Sequence, residues 1–117
     1  MGEKRLTAIF YRTSLGNVPV IEWLKSLGRT DSIIIGSALR LVEEGWPIGM
    51  PVCRSLGDGL FETRSNLPNG RTARVIFFIK DGKIGVVHGF IKKTQQTPQA
   101  DIELAKKRKK EMENDTE

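Results

Sequence analysis

From Lys4 to Tyr11 the chain alternates, with Leu6, Ala8 and Phe10 on one side and Arg5, Thr7, Ile9 and Tyr11 on the other. A period of two predicts a first strand. The period then changes. Val20, Trp23, Leu24 and Leu27 recur at one-face helical spacing, with Asn17 as the expected cap, Pro19 in the first turn and Gly28 as the stop. A second helix is expected from Asp31, its cap, to Gly45, burying Ile35, Ala38, Leu39 and Val42. The two form a helical hairpin.

The connector Trp46-Pro47-Ile48-Gly49-Met50-Pro51 has no period. Short apolar runs separated by turn residues follow. Val52–Leu56 is the weakest strand candidate. Gly57-Asp58-Gly59 turns into Leu60–Asn66, Pro68-Asn69-Gly70 into Thr72–Lys80, and Asp81-Gly82 into Lys83–Ile91. Asp-Gly between two apolar runs is a strong two-residue hairpin signal. Thr97-Pro98 opens a last helix with a thin apolar side of Ile102, Ala105 and Met112, and residues 114–117 are expected to fray. Two helices, a meander and a terminal helix predict an α+β fold.

A tight Asp81-Gly82 hairpin fixes a register: Lys80 opposite Lys83, Phe77 opposite Val86, Val75 opposite His88, Arg74 opposite Gly89. One face then carries Ala73, Val75, Phe77, Ile79, Ile84, Val86, His88 and Phe90 and should pack on the helices. The other carries Arg74, Ile76, Phe78, Gly85, Val87, Gly89 and Ile91. Glycine inside a strand often marks the close approach of a ligand, so the second face is expected to be open at Gly85 and Gly89. If Phe61 faces the core, Glu62 and Arg64 join Arg74 there, and Lys92 and Lys93 leave the neighbouring strand end. Arg64, Arg74, Lys92 and Lys93 thus gather around Glu62. For any single cation a solvated surface position is the commoner fate; four beside two strand glycines point to a site.

Composition narrows the chemistry. A chain of 117 residues fits one domain, 1–117. No apolar run approaches the roughly 18 residues of a membrane helix. Met1-Gly2-Glu3-Lys4-Arg5 leads straight into the first strand, which predicts no secretory signal, and Leu6 stands where a myristoylation motif wants Ser or Thr. One cysteine, Cys53, and one histidine, His88, exclude an internal disulfide and a Cys- or His-rich metal site. A cytosolic chain without cofactor or metal is expected. The net charge of +5 favours a polyanionic partner. By parity His88 belongs to the apolar face as a hydrogen-bonded core residue, and Cys53, with no activating partner in view, reads as a small buried side chain. Trp23 and Trp46 read as packing residues.

The series Leu56-x-x-Gly59-Leu60-Phe61-Glu62-x-Arg64, Arg74-Val75-Ile76-Phe77-Phe78 and His88-Gly89-Phe90-x-Lys92-Lys93-Thr94-x-x-Thr97-Pro98 resembles the RelE/ParE toxin superfamily, in its HigB-type, phage-derived Gp49-like branch. The resemblance implies two N-terminal helices packed on a curved antiparallel sheet, with a C-terminal helix. It implies a toxin that enters the ribosomal A site and cuts messenger RNA, and a HigA-like helix-turn-helix antitoxin through which the pair binds operator DNA. The family's basic positions fall on Arg64, Arg74, Lys92 and Lys93. The likeness departs in two places. Some members carry a tyrosine near the terminal segment, where this chain reads Gln95 to Gln99, and the His–Asp pairs of some HigB members are not evident.

RNA cleavage without metal needs the 2′-hydroxyl in line with its phosphate, a base, and cations for the developing charge. Arg74 and Arg64 suit the phosphate through their planar fork. Arginine stays protonated, so the base is left between Lys93 and Glu62. Lys92, Arg71 and, on the terminal helix, Lys106, Lys107 and Arg108 are candidate RNA contacts. Two other readings stay open: a ParE-like gyrase inhibitor that cuts nothing, and a general RNA-binding module.

Overall fold

The computed structural model describes residues 6–93 and 96–115. The expectations for the first five residues, for Thr94 and Gln95 and for the last two residues lie outside them.

The turn residues punctuate the chain as expected. At the Asp81-Gly82 turn both residues have positive φ, 52° and 75°, and Lys80 pairs with Lys83. These are the left-handed conformations that match the twist of a hairpin. The strands are β1 (Thr7–Phe10), β2 (Cys53–Gly57), β3 (Leu60–Asn66), β4 (Thr72–Lys80) and β5 (Lys83–Lys92). The helices are α1 (Pro19–Leu27), α2 (Arg29–Gly45) and α3 (Gln99–Asp115). Two caps differ from expectation. Val18, not Asn17, precedes α1, and the Asn17 amide is held by the Thr13 hydroxyl at 3.0 Å. Gly28 serves as both the stop of α1 and the start of α2, so Asp31 sits inside the first turn of α2 and caps nothing.

The fold is α+β, with three helices and a five-stranded mixed sheet in the order β1-β5-β4-β3-β2. The expected antiparallel sheet is corrected at one edge, because β1 runs parallel to β5. Alternation identifies a strand but carries no information on its partner's direction. The first strand precedes the helical hairpin, as its alternation predicted, and helices lie against both faces. The mixed sheet with a helix on its second face differs from the arrangement that the resemblance implied, two N-terminal helices packed on an antiparallel sheet. Val20 of α1 and Ile35, Leu39 and Val42 of α2 form one core with Val75, Phe77, Ile84 and Val86. Ala105, Ile102 and Met112 of α3 close a second with Ile76, Phe78, Val87 and Leu60. The outward amides of the first edge find acceptors on α2: the Leu6 N–H donates to the Glu43 backbone carbonyl at 3.1 Å and the Ala8 N–H to Glu43 Oε2 at 2.9 Å. No helix among the described residues is long and apolar enough to cross a membrane.

The register of β4 and β5 holds from the turn to Phe77, opposite Val86, and then slips. Val87 is an extra residue, after which Ile76 pairs with His88, Val75 with Gly89 and Arg74 with Phe90. A bulge of this kind moves every later side chain to the other face. His88 and Phe90 therefore leave the helical-hairpin face to which parity assigned them, and Gly89 and Ile91 take their places.

Candidate functional site

Alternation puts Glu62 and Arg64 of β3 on the same face, and the β3–β4 register sets Arg64 directly opposite Arg74. Like charges so opposed repel. The compensation comes from Glu62, which is 1% exposed. Its Oε2 accepts from Arg54 Nε at 2.7 Å and from Arg74 Nη1, and its Oε1 accepts from the Thr97 hydroxyl at 2.7 Å. Arg54 arrives on β2, directly across from Glu62. Lys92 ends β5, opposite Thr72 at the start of β4. Together Arg54, Glu62, Arg64, Arg74 and Lys92 line a pocket of about 170 Å³, walled by residues 50–53. Four cations face one carboxylate there, a formal excess of three positive charges.

Arg74 is the most constrained of the four. Its side chain is 5% exposed, and its buried Nε has no hydrogen-bond partner. Burial lowers its pKa; Glu62 opposes that, and Arg54 and Arg64 add to it. Lys92 also titrates below an ordinary lysine, through partial desolvation and then the repulsion of Arg74 and Arg54. Arginine remains charged throughout, whereas a lysine in such surroundings gains a larger neutral fraction.

Of the residues singled out in the sequence, Arg64, Arg74, Lys92 and Glu62 come together, and Lys93 is exposed outside the pocket lining. Arg71 is gripped by Asp31 through two bonds of 2.8 and 3.2 Å, tying β4's entry to α2. Lys106 pairs with Asp58 at 3.0 Å. Arg108 donates to the Val87 carbonyl at 2.9 Å and lies 5.0 Å from the Tyr11 ring centre. These contacts seat α3 on the sheet; Lys107 is exposed. Arg54 is the residue that sequence reasoning missed. The Gly57-Asp58-Gly59 turn held the signal, since a hairpin there sets β2 against β3 and Arg54 across from Glu62.

The strand glycines have a different purpose from the one expected. A Cβ at Gly85 would collide with the Phe78 ring, and one at Gly89 with the Trp23 ring of α1. Aromatic rings occupy the room that the sequence suggested for a ligand. The second face is closed in the middle by α3, and the cations converge at its end.

His88 is likewise corrected. Turned over by the bulge, it is half-buried beside α3, its Nε2 2.6 Å from Asp101 Oδ1 and its ring stacked on Phe90 at 5.4 Å. A His–Asp pair thus exists, bridging β5 and α3, but neither residue lines the cationic pocket. Cys53 is buried, and burial, with Glu62 adding to it, pushes its thiol up to about 11, as befits an unreactive side chain. Trp46 packs edge-on against Phe61 and Phe77.

A mixed sheet between helices, with one end of a face given to cations around a buried carboxylate, defines a small α+β protein with a strongly cationic pocket. Residues 22–110 match the family model described as Phage derived protein Gp49-like (DUF891), and the chain belongs to that family. This is a RelE/ParE-like toxin family, consistent with the toxin of a toxin–antitoxin pair, and it implies an antitoxin as partner. Among curated proteins no match to the chain is found.

Proposed function

We propose that this chain is a HigB-type toxin that acts in the cytoplasm as a ribosome-dependent messenger RNA endonuclease. Its cognate antitoxin is a HigA-like helix-turn-helix protein, through which alone the pair meets operator DNA. The observation that carries the reading is the pocket in which Arg54, Arg64, Arg74 and Lys92 surround Glu62. A gyrase inhibitor has no need of such a place for a phosphodiester.

In this reading Arg74 and Arg64 grip the non-bridging phosphate oxygens, and the electrostatic gain rises as the phosphorus becomes crowded. Lys92, in its neutral fraction, takes the proton of the attacking 2′-hydroxyl. Glu62 is poorly suited to be the base, since both of its oxygens already accept hydrogen bonds. Lys93, with Lys107 on α3, is left to contact RNA outside the reacting bond. The 2′-oxygen displaces the 5′-oxygen, which leaves with the P–O bond pair and takes a proton from water, so the products are a 2′,3′-cyclic phosphate and a free 5′-hydroxyl.

The test maps RNA 5′ ends in an active translation reaction. Cuts within translated codons are expected with the wild-type protein and absent with Arg74→Ala or Arg64→Ala. Intact messages with wild-type protein would overturn the proposal, and gyrase inhibition in their place would favour the ParE-like alternative.

A further inference from the structure

The carboxylate at the centre of the pocket has a third partner that is no cation. Thr97 belongs to the segment leading into α3, 35 residues beyond Glu62 in the chain. Its hydroxyl donates to Oε1 at 2.7 Å, while the other oxygen receives Arg54 and Arg74. A carboxylate with only one oxygen held rotates about its terminal bond; one held at both is fixed in plane. Fixing Glu62 fixes the two guanidinium groups bound to it. For Arg74 the constraint is severe, because its side chain is buried, Glu62 holds it at Nη1 and its Nε has no hydrogen-bond partner.

We infer that Thr97 and Glu62 are positioning residues of the cationic pocket: Thr97 orients Glu62, Glu62 orients Arg54 and Arg74, and the seating of the segment before α3 thereby sets the pocket's geometry. A second bond, from His88 to Asp101, also fastens the beginning of α3, but it ends on no residue of the pocket. The two fastenings therefore have separable consequences. Loosening Thr97 disarms the arginines; loosening Asp101 affects only the helix.

The activity arm of this inference rests on the RNA-cleavage reading, so the decisive measurement is independent of it. In the wild-type protein the side-chain Nε–Hε cross-peaks of Arg54 and Arg74, recorded by ¹H–¹⁵N NMR and assigned with Arg54→Lys and Arg74→Lys, are expected to be sharp and slow to exchange with water. Thr97→Val should broaden them and speed their exchange, Thr97→Ser should restore them, and Asp101→Asn should leave them as they were. Thermal melts of each variant identify any loss of folding, and Thr97→Ala, which also removes the hydroxyl, gives the same comparison with wild type and Thr97→Ser if Thr97→Val is poorly folded. In the translation assay Thr97→Val should lower kcat about ten- to a hundredfold with little change in KM, the scale set by small misplacements of a reacting group. Unchanged arginine signals in Thr97→Val, no recovery in Thr97→Ser, or an equal disturbance in Asp101→Asn would each overturn the inference. A wild-type protein that cuts no RNA would sink the proposed function and leave the arginine signals to decide this point alone.

Discussion

Replacing Glu62 with alanine removes the one acidic side chain among the pocket's lining residues. Arg74, whose side chain is 5% exposed and whose Nε is unpartnered in the wild-type protein, then keeps its charge but loses the acceptor of its Nη1. Breaking a buried ion pair by removing one partner costs about 3–5 kcal/mol, because the remaining charge is left in a poor solvent. An unfolding entropy of about 2.1 cal/mol/K per residue amounts to about 0.25 kcal/mol/K for this chain, so the melting temperature should fall by about 12–20 °C. The same reasoning predicts a rescue. Glu62→Leu combined with Arg74→Met removes both charges and leaves apolar side chains close to the originals in size, an exchange that is often close to neutral. The double variant should recover most of the lost temperature. Arg54 has a side chain 39% exposed and can turn to water, so Arg54→Ala should rescue Glu62→Ala little. Calorimetry or circular dichroism melts at low salt measure all three. A Glu62→Ala protein melting within about 3 °C of wild type, or a double variant no firmer than the single one, would refute the idea that Arg74 is a buried charge held by Glu62.

Two further outcomes test the packing. Gly89→Ala places a methyl group against the Trp23 ring, which is wedged between α1 and the sheet; urea unfolding should show a loss of about 1–3 kcal/mol from overpacking, partly regained with Trp23→Leu. Cys53, its thiol at about 11, should resist iodoacetamide in the folded protein at pH 8 and react only as the pH rises past 9 towards that value or as the chain unfolds. Its contribution to stability has the same direction: native burial favours the neutral thiol, so it is complete below pH 9 and lost as the pH climbs through the native value. Labelling at pH 8 as fast as that of a free cysteine would contradict the buried position.

The sequence was most legible where turn chemistry and alternation agreed. The boundaries of β3 and β4 lie where Asp58-Gly59, Pro68-Asn69-Gly70 and Asp81-Gly82 put them, because those residues accept the backbone angles that tight reversals need. The same alternation brought Glu62, Arg64 and Arg74 to one face. What it did not carry was the extra residue at Val87. A bulge leaves no mark on an apolar run, since Val86 and Val87 suit either face, yet it decides the side on which His88, Gly89 and Phe90 lie. The covering of the second face was also hidden. Helix α3 has little apolar surface, and its adhesion depends on Arg108, Lys106 and Asp101 finding partners far away in the chain. The parallel placement of β1 is a choice of neighbour, which no local pattern encodes.

The attachment of Glu43 to the first strand has a consequence for how the sheet meets other copies of the chain. Exposed strand margins recruit the strands of other molecules through their unpaired amides. On one flank those amides are already occupied by the end of α2, through Leu6 and Ala8. On the opposite flank the connector folds back so that Cys53 donates to the Gly49 carbonyl. With both margins short and partly sealed from within, the sheet offers a poor template for fibre growth.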